Sequence, residues 1–525
     1  MNFTPAPHTT QHWEITKPAA NGKKGIVVSQ AKPAAEAGVA ILEAGGNAID
    51  AAVGTALALA SQEPWNSGIG GIGFCVVHRA GEKNAQVIDF GPVSPRMTRP
   101  DQYKLTGRMT TDLFAWAEVE NDANIHGPLS VAIPSSVAGY HKLHSTWGKL
   151  PIADVMAPAV ALAKRGLPQD WYTTLKIALS ASVLAKYPES ARVYLRNGLP
   201  PVPPYQGTPG FFTQGNLPGT LEYLQKAGLR DYYEGDIARS LVEDFKTVGS
   251  HIDAEDLKTC QARILPATEV PWRNGNVMQL ATGLTAAPTL MRVLEQMKGA
   301  PWGDKPDAAW FRALARIMKE AYAERLAGLG EADSNSAETC TTHLTVCDSE
   351  GTMVAMTTTL MSSMGSRVLL PKTGVLLNNG MMWFDPRPGQ ANSVAPGKRP
   401  LCNMCPIIMK HDDRPIAAIG ASGGRRIMAS VFQVLSFVAD FGMTPEEAAH
   451  HPRIDVSSAD GATADRRLSA DILAALAAEG PTEVVESGAV PINFACPNII
   501  VQHQDGSRTG ISDVASPWSA ALAQH

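Results

Sequence analysis

Hydrophobic positions keep a mostly helical rhythm up to about residue 330, and the chain turns β-rich after residue 341. Residues 33–44 read as a helix, with Pro33 suited to a first-turn position and Gly45-Gly46 ending the element. Asn47 caps a second helix that carries Asp50 in its first turn and runs through alanines to about Leu59. From about 106 to 330 the pattern is mostly helical. It is clearest over 306–327, where Trp310, Leu314, Ile317, Met318 and Ala321 share one face. Gly198–Pro209 is a Pro- and Gly-rich surface excursion. Residues 342–347 alternate polar and apolar, Asp348-Ser349-Glu350-Gly351 supplies turn residues, and 352–360 is Thr- and Val-containing again, which predicts a hairpin. With Ser349 and Glu350 as the turn, Thr341 stands opposite Thr358 and next to Thr359. Thr444–His450 and Ala470–Ala478 add helices, and the residues beyond carry no readable pattern. No repeat, low-complexity segment or interdomain linker interrupts the chain.

Gly68-Ile69-Gly70-Gly71-Ile72-Gly73 satisfies G-x-G-x-x-G, but a helix precedes it and a strand over Phe74–Val77 follows. A dinucleotide site needs the opposite order, so these glycines are expected to allow close backbone approach. The hairpin carries a different chemistry. Gly330–Glu338 has no large apolar residue and predicts an exposed loop that ends just before a strand starting at Thr341. A threonine hydroxyl needs an adjacent base, and its own α-amine serves once the preceding peptide bond is cut. On pattern alone the stronger reading is the plain one, that threonines in a strand reflect the preference of β-branched residues for sheets.

The 525 residues, 44% hydrophobic and 18% charged, suit a globular chain with a substantial core. A net charge of −5 and the absence of a long basic run argue against nucleic acid or an anionic membrane as partner. Residues 1–24 have no apolar core of a secretory signal, and seven scattered cysteines fit a reduced cytoplasm, so a cytoplasmic location is expected. Cys402 and Cys405 spell C-x-x-C without a second such pair or a suitably spaced histidine. Neither a metal nor a cofactor is expected.

The chain resembles the γ-glutamyltranspeptidases over roughly residues 25–455. The motifs carrying the resemblance are Gly45-Gly46-Asn47-Ala48-Ile49-Asp50, Gly70-Gly71-Ile72-Gly73-Phe74, Gly148-Lys149-Leu150-Pro151, Thr341-Thr342-His343-Leu344, Leu377-Asn378-Asn379, Lys398-Arg399-Pro400-Leu401 and Ser422-Gly423-Gly424. It implies the αββα sandwich of the N-terminal-nucleophile hydrolases, with a helical large subunit over 1–340 and a β-rich small subunit over 341–525, cut from one chain and remaining assembled as one continuous domain. It further implies that Thr341 is the nucleophile for self-cleavage after Cys340 and for attack on an amide. Thr359 is then its hydrogen-bond partner, and Gly423 and Gly424 are the oxyanion donors.

Several family positions differ. Members that take γ-glutamyl substrates grip an amino-acid head with an arginine, an aspartate and a serine pair. Gly91 stands where the arginine should be, Trp383 replaces the aspartate, and Cys402-Asn403 replaces the serines. Arg96 and Arg99 are near enough in sequence to reach in. Trp383, Met381, Met382, Met361 and Met364 make a less polar pocket in which Asn403 donates to an acyl oxygen. The expected substrate is a small amide without the amino-acid head, such as oxamate or a glutaryl amide of the kind cephalosporin acylases cut. The alternatives are γ-glutamyl hydrolysis or transfer with a different clamp, and an uncleaved binding protein.

Overall fold

The computed structural model describes residues 15–109, 116–327, 339–458, 461–490 and 492–525. The predicted loop over Gly330–Glu338 lies outside the described residues, as do residues 1–14. Two seven-stranded sheets form the centre. One runs in the order Ala520–Ala523, Ile26–Ser29, Thr339–Cys347, Met353–Ser362, Ile72–His78, Gln86–Phe90, Arg263–Pro266. The other runs Ala20–Gly22, Arg508–Ser512, Cys496–Gln502, Arg414–Ser422, Ile407–His411, Asn276–Leu280, Thr268–Pro271.

Side-chain alternation sorts each strand onto two faces. Leu344, Val346, Val354 and Met356 pack into the core shared with the helices Lys32–Glu43 and Ala48–Gln62. Met353, Ala355 and Met361 point the other way, into a layer between the sheets that also holds Ile408, Ala418 and Ile500. The second sheet's outer face packs on Ala287–Met297, Ala308–Ala327 and Arg426–Ala439. The result is helix, sheet, sheet, helix. Residues from both sides of Cys340–Thr341 interleave in both sheets, so a cut there leaves two interlocked pieces.

Helix ends follow local chemistry. Asn47 Oδ1 accepts from Ile49 N and Asp50 N at 3.0 Å each, and Asp50 Oδ2 accepts from Asn47 N at 3.1 Å. This is a capping box. Asp50 also accepts from the amides of Lys149 and Leu150, which ties in the Gly148–Leu150 turn. The helix Ala308–Ala327 buries Trp310, Leu314, Ile317, Met318 and Ala321 as its pattern predicts.

Four features differ from the sequence reading. The hairpin register is shifted by one: Thr342, not Thr341, pairs with Thr358. Asp348 Oδ1 accepts from Glu350 N and Thr352 N, and Asp348 N donates to Thr352 O, so the loop holds three residues, with Gly351 at φ 94°. A three-residue loop with a left-handed glycine is a standard hairpin closure. The stretch read as helical contains Arg263–Pro266, Thr268–Pro271 and Asn276–Leu280. Its prolines sit in the two edge strands, where a missing N–H is tolerated. The helix Arg426–Ala439 was not read from the sequence: its polar positions Arg426, Ser430, Gln433 and Ser436 share one side, but Ser430, Gln433 and Ser436 are buried rather than facing solvent. The last residues, whose pattern was unreadable, complete both sheets.

Candidate active site

Between the pairs Thr342–Thr358 and Cys340–Met361 the ladder slips, so Thr341 opposes both Thr359 and Leu360. Such a bulge re-aims a side chain locally. Thr341 and Thr359 both project into the layer between the sheets, with their hydroxyl oxygens 3.1 Å apart. Met361 N donates to Thr359 Oγ1 at 2.8 Å. To do so Met361 adopts φ 88°, a strained conformation for a residue with a side chain.

Around Thr341 the pocket is lined by Met361, Trp383, Asn403, Met404, Gly424 and Ile427. Trp383 arrives on the short helical turn Gly380–Trp383, which two buried asparagines brace. Asn378 accepts from Ala132 N and Gly380 N and donates to Gly70 O and Ala132 O. Asn379 accepts from Ser362 N and donates to Ile125 O. Gly70, Gly71 and Gly73 let this layer close: a Cβ there would meet Leu376 O at 2.2 Å, Thr359 O at 2.7 Å and Thr357 O at 2.3 Å. The glycine run is a packing device, as its context predicted.

On the opposite wall, Gly423 (φ 134°) and Gly424 (φ 60°) lead into the helix Arg426–Ala439. Ala495 stands 2.8 Å from where a Cβ on Gly423 would be. Helix-start amides lack intrahelical acceptors and carry a positive end, so this corner suits a developing negative oxygen.

The other face of the same strands is also polar. Thr342 Oγ1 donates to Glu63, and Asn66 Nδ2 donates to Glu63 Oε1 at 2.6 Å. Burial pushes the Glu63 carboxyl up to about 7, against the opposing effect of these hydrogen bonds. Thr358 Oγ1 meets Tyr140 Oη at 3.0 Å. Back on Thr341's own face, between the sheets, His343 is pulled down to about 3 by burial and stays neutral at ordinary pH, its Nδ1 2.8 Å from Thr357 Oγ1.

The remaining residues singled out in the sequence fall elsewhere. Cys402 is fully buried behind the wall, and Met404 lines the pocket instead. Met382 is buried in the inter-sheet layer, its carbonyl accepting from Trp116 Nε1. Met364 packs with Trp65 in a separate cluster. Gly91 lines a different cleft with Ser94, Arg96 and Arg399. A Cβ on Gly91 would lie 2.5 Å from the Phe74 ring. Arg96 pairs with Asp253 and Asp256, and Arg99 with Asp101, so neither is available to the Thr341 pocket. Two neighbours went unread in the sequence: Glu63, and Arg325, whose Nη2 donates to Asn403 Oδ1 at 3.1 Å. Among the described residues no group of three or more His, Cys, Asp or Glu side chains could hold a metal ion. Nor is any described helix long and apolar enough to cross a membrane.

Two helix-flanked sheets, with a threonine near the head of a central strand facing the space between them, define the architecture of an N-terminal-nucleophile hydrolase. The chain belongs to the gamma-glutamyltranspeptidase family, whose sequence profile matches residues 34–340 and 332–522. It is 27% identical to the glutathione hydrolase proenzyme of Bacillus subtilis (strain 168), over 94% of this chain and 90% of that protein. It is 28% identical to the acylase ACY 1 proenzyme of Pseudomonas sp. (strain V22), over 98% and 96%. In fold it resembles the crystal structure of cephalosporin acylase from Bacillus halodurans, with a TM-score of 0.84 at 21% identity over 99% of this chain and 100% of that one.

Proposed function

We propose that this chain cuts itself between Cys340 and Thr341 and then hydrolyses a small amide through an acyl ester on Thr341. In the first step the Thr341 hydroxyl attacks the Cys340 carbonyl carbon, moving the acyl group from nitrogen to oxygen and freeing the α-amine. Water then hydrolyses that ester. In the second reaction the freed amine takes the hydroxyl proton as Thr341 attacks the substrate carbonyl, and the proton passes to the leaving amine. The amides of Gly423 and Gly424 receive the oxyanion, and water releases the acid. The observation that carries this reading is the Thr341–Thr359 hydroxyl pair at 3.1 Å beside the Gly424 corner of one pocket.

With the chain continuous across Cys340–Thr341, the pocket has about 10 Å³ of free room, about one water's worth. Cutting would release Thr339 and Cys340 from Ser362 and Met361 and admit substrate. The walls argue for an acyl part without an amino-acid head. Among the described residues no carboxylate lines the pocket to hold an α-ammonium, and burying one unpaired costs several kcal/mol. Oxamate and short dicarboxylic monoamides, including glutaryl amides, fit this reading, and the acylase relatives favour it. The glutathione hydrolase relatives favour a second reading, γ-glutamyl hydrolysis or transfer.

The test is kcat/KM of the processed protein on glutaryl-p-nitroanilide and γ-glutamyl-p-nitroanilide, with ammonia release from oxamate alongside. The γ-glutamyl compound should be poorer by about 10²-fold. Equal or better turnover of it would establish the second reading instead.

A further inference from the structure

Arg325 is a charged group that the proposed chemistry leaves unused. It stands near the end of the helix Ala308–Ala327, half-buried among neutral acceptors. Its Nη1 donates to Thr285 O at 3.3 Å and Thr289 Oγ1 at 3.1 Å, and its Nη2 to Cys402 O at 2.7 Å and Asn403 Oδ1 at 3.1 Å. None of these partners is negative, and Arg325 forms no ion pair among the described residues. Burial holds its pKa below the ordinary arginine value, yet a guanidinium keeps its charge at any working pH. A desolvated cation ordinarily faces a carboxylate. Here the unpaired charge stands directly behind a pocket wall.

That wall is Asn403. Because its Oδ1 is committed to Arg325, the amide is held in one orientation, leaving Nδ2 as the donor for the Thr341 pocket. Tyr322 lies three residues earlier on the same helix face and donates to Arg425 O at 2.5 Å. One helix therefore steadies both the Asn403 wall and the glycine corner. Asp455, the carboxylate that faces Tyr322, accepts from Ser457 and makes no ion pair with Arg325 among the described residues. Among the described residues the other side chains lining the pocket are neutral, so the field of the guanidinium is weakly screened by them.

Resting on the amidase reading above, we propose that the Thr341 pocket takes an acyl chain ending in a carboxylate, a half-amide of a dicarboxylic acid, and that Arg325 selects it through Asn403. Asn403 Nδ2 donates to the carboxylate, and the charge behind it sets the sign of the ligand. A negative acyl chain is favoured, and a zwitterionic head, which brings an ammonium without a partner, is not.

The experiment compares kcat/KM for glutaryl-p-nitroanilide and its neutral methyl ester in processed wild type, Arg325→Met, Arg325→Lys and Asn403→Ala. Wild type should prefer the free acid by about 10- to 100-fold, mostly in KM. Arg325→Met should bring the ratio close to one, Arg325→Lys should retain part of the preference, and Asn403→Ala should lower it. A role confined to folding would depress both substrates alike and leave the ratio unchanged. A wild-type ratio near one overturns the inference while leaving the amidase standing, and needs no variant that might misfold. A preference that persists in a two-fragment Arg325→Met protein also overturns it. Processed wild type that cuts neither compound, nor any other acyl amide offered, removes the amidase reading and this inference with it.

Discussion

Thr341 and Thr359 face each other beside a β-bulge, hydroxyl to hydroxyl at 3.1 Å, and the strained backbone at Met361 returns its N–H to Thr359. The register running from Thr342–Thr358 already sets Thr341 against Thr359, and the bulge falls just beyond: a regular ladder would have paired Cys340 with Leu360, but the chain pairs it with Met361. Thr359 is thereby held by a backbone amide while its hydroxyl serves Thr341.

Thr341→Ala should leave one uncut chain without amidase activity, since both steps need the same oxygen. On a denaturing gel the wild type should run as fragments of about 36 and 20 kDa, dividing 55.8 kDa in proportion at residue 340. Two such fragments from Thr341→Ala would exclude Thr341 as the nucleophile. Thr359→Ala should slow turnover by about 10²-fold or more.

Gly423→Ala tests the oxyanion corner. The added Cβ would meet Ala495 at 2.8 Å, and φ 134° disfavours any side chain. Displacing that amide should lower kcat by about 10²- to 10³-fold. An unchanged kcat in the folded variant would reduce the glycines to a tight turn.

Glu63 should make stability depend on pH. Its carboxyl is raised from 4.5 to about 7, so between those values the folded chain holds a proton that the unfolded chain releases. Stability therefore falls as pH rises through that window and levels off above it, by at most about 3 kcal/mol. Glu63→Gln removes the titration but cannot accept from Thr342 and Asn66 at once. It should be less stable than wild type at pH 5 and gain on it by pH 8, measured by urea unfolding. Parallel pH profiles would show that Glu63 does not titrate there.

Asn378→Ala should cost about 2–4 kcal/mol, because four hydrogen bonds to buried backbone groups lose their partner. The turn Gly380–Trp383 loses its brace, so the variant should also show a raised KM. A loss of stability with an unchanged KM would separate Asn378 from the pocket.

Much of this protein was legible because its cues are local. The Asn47–Asp50 cap, the face of Trp310 and Leu314, the hairpin around Asp348 and the helix-to-strand context of the glycine run each depend on residues close together in the chain, whose dihedrals and periodicity act directly on one another. The same locality brought Thr341 near Thr359, although a turn one residue longer than read shifted the register. What the sequence did not carry depended on contacts across long separations. Gly91 belongs to a separate cleft, Cys402 is buried while Met404 lines the pocket, and the polar side of the Arg426–Ala439 helix is covered by other elements. Arg325 and Asn403 are 78 residues apart and meet only because a helix of the outer layer lies against the loop entering the second sheet. Periodicity sets which face of an element is apolar, but which charge stands behind which wall is decided only when the layers close and water leaves.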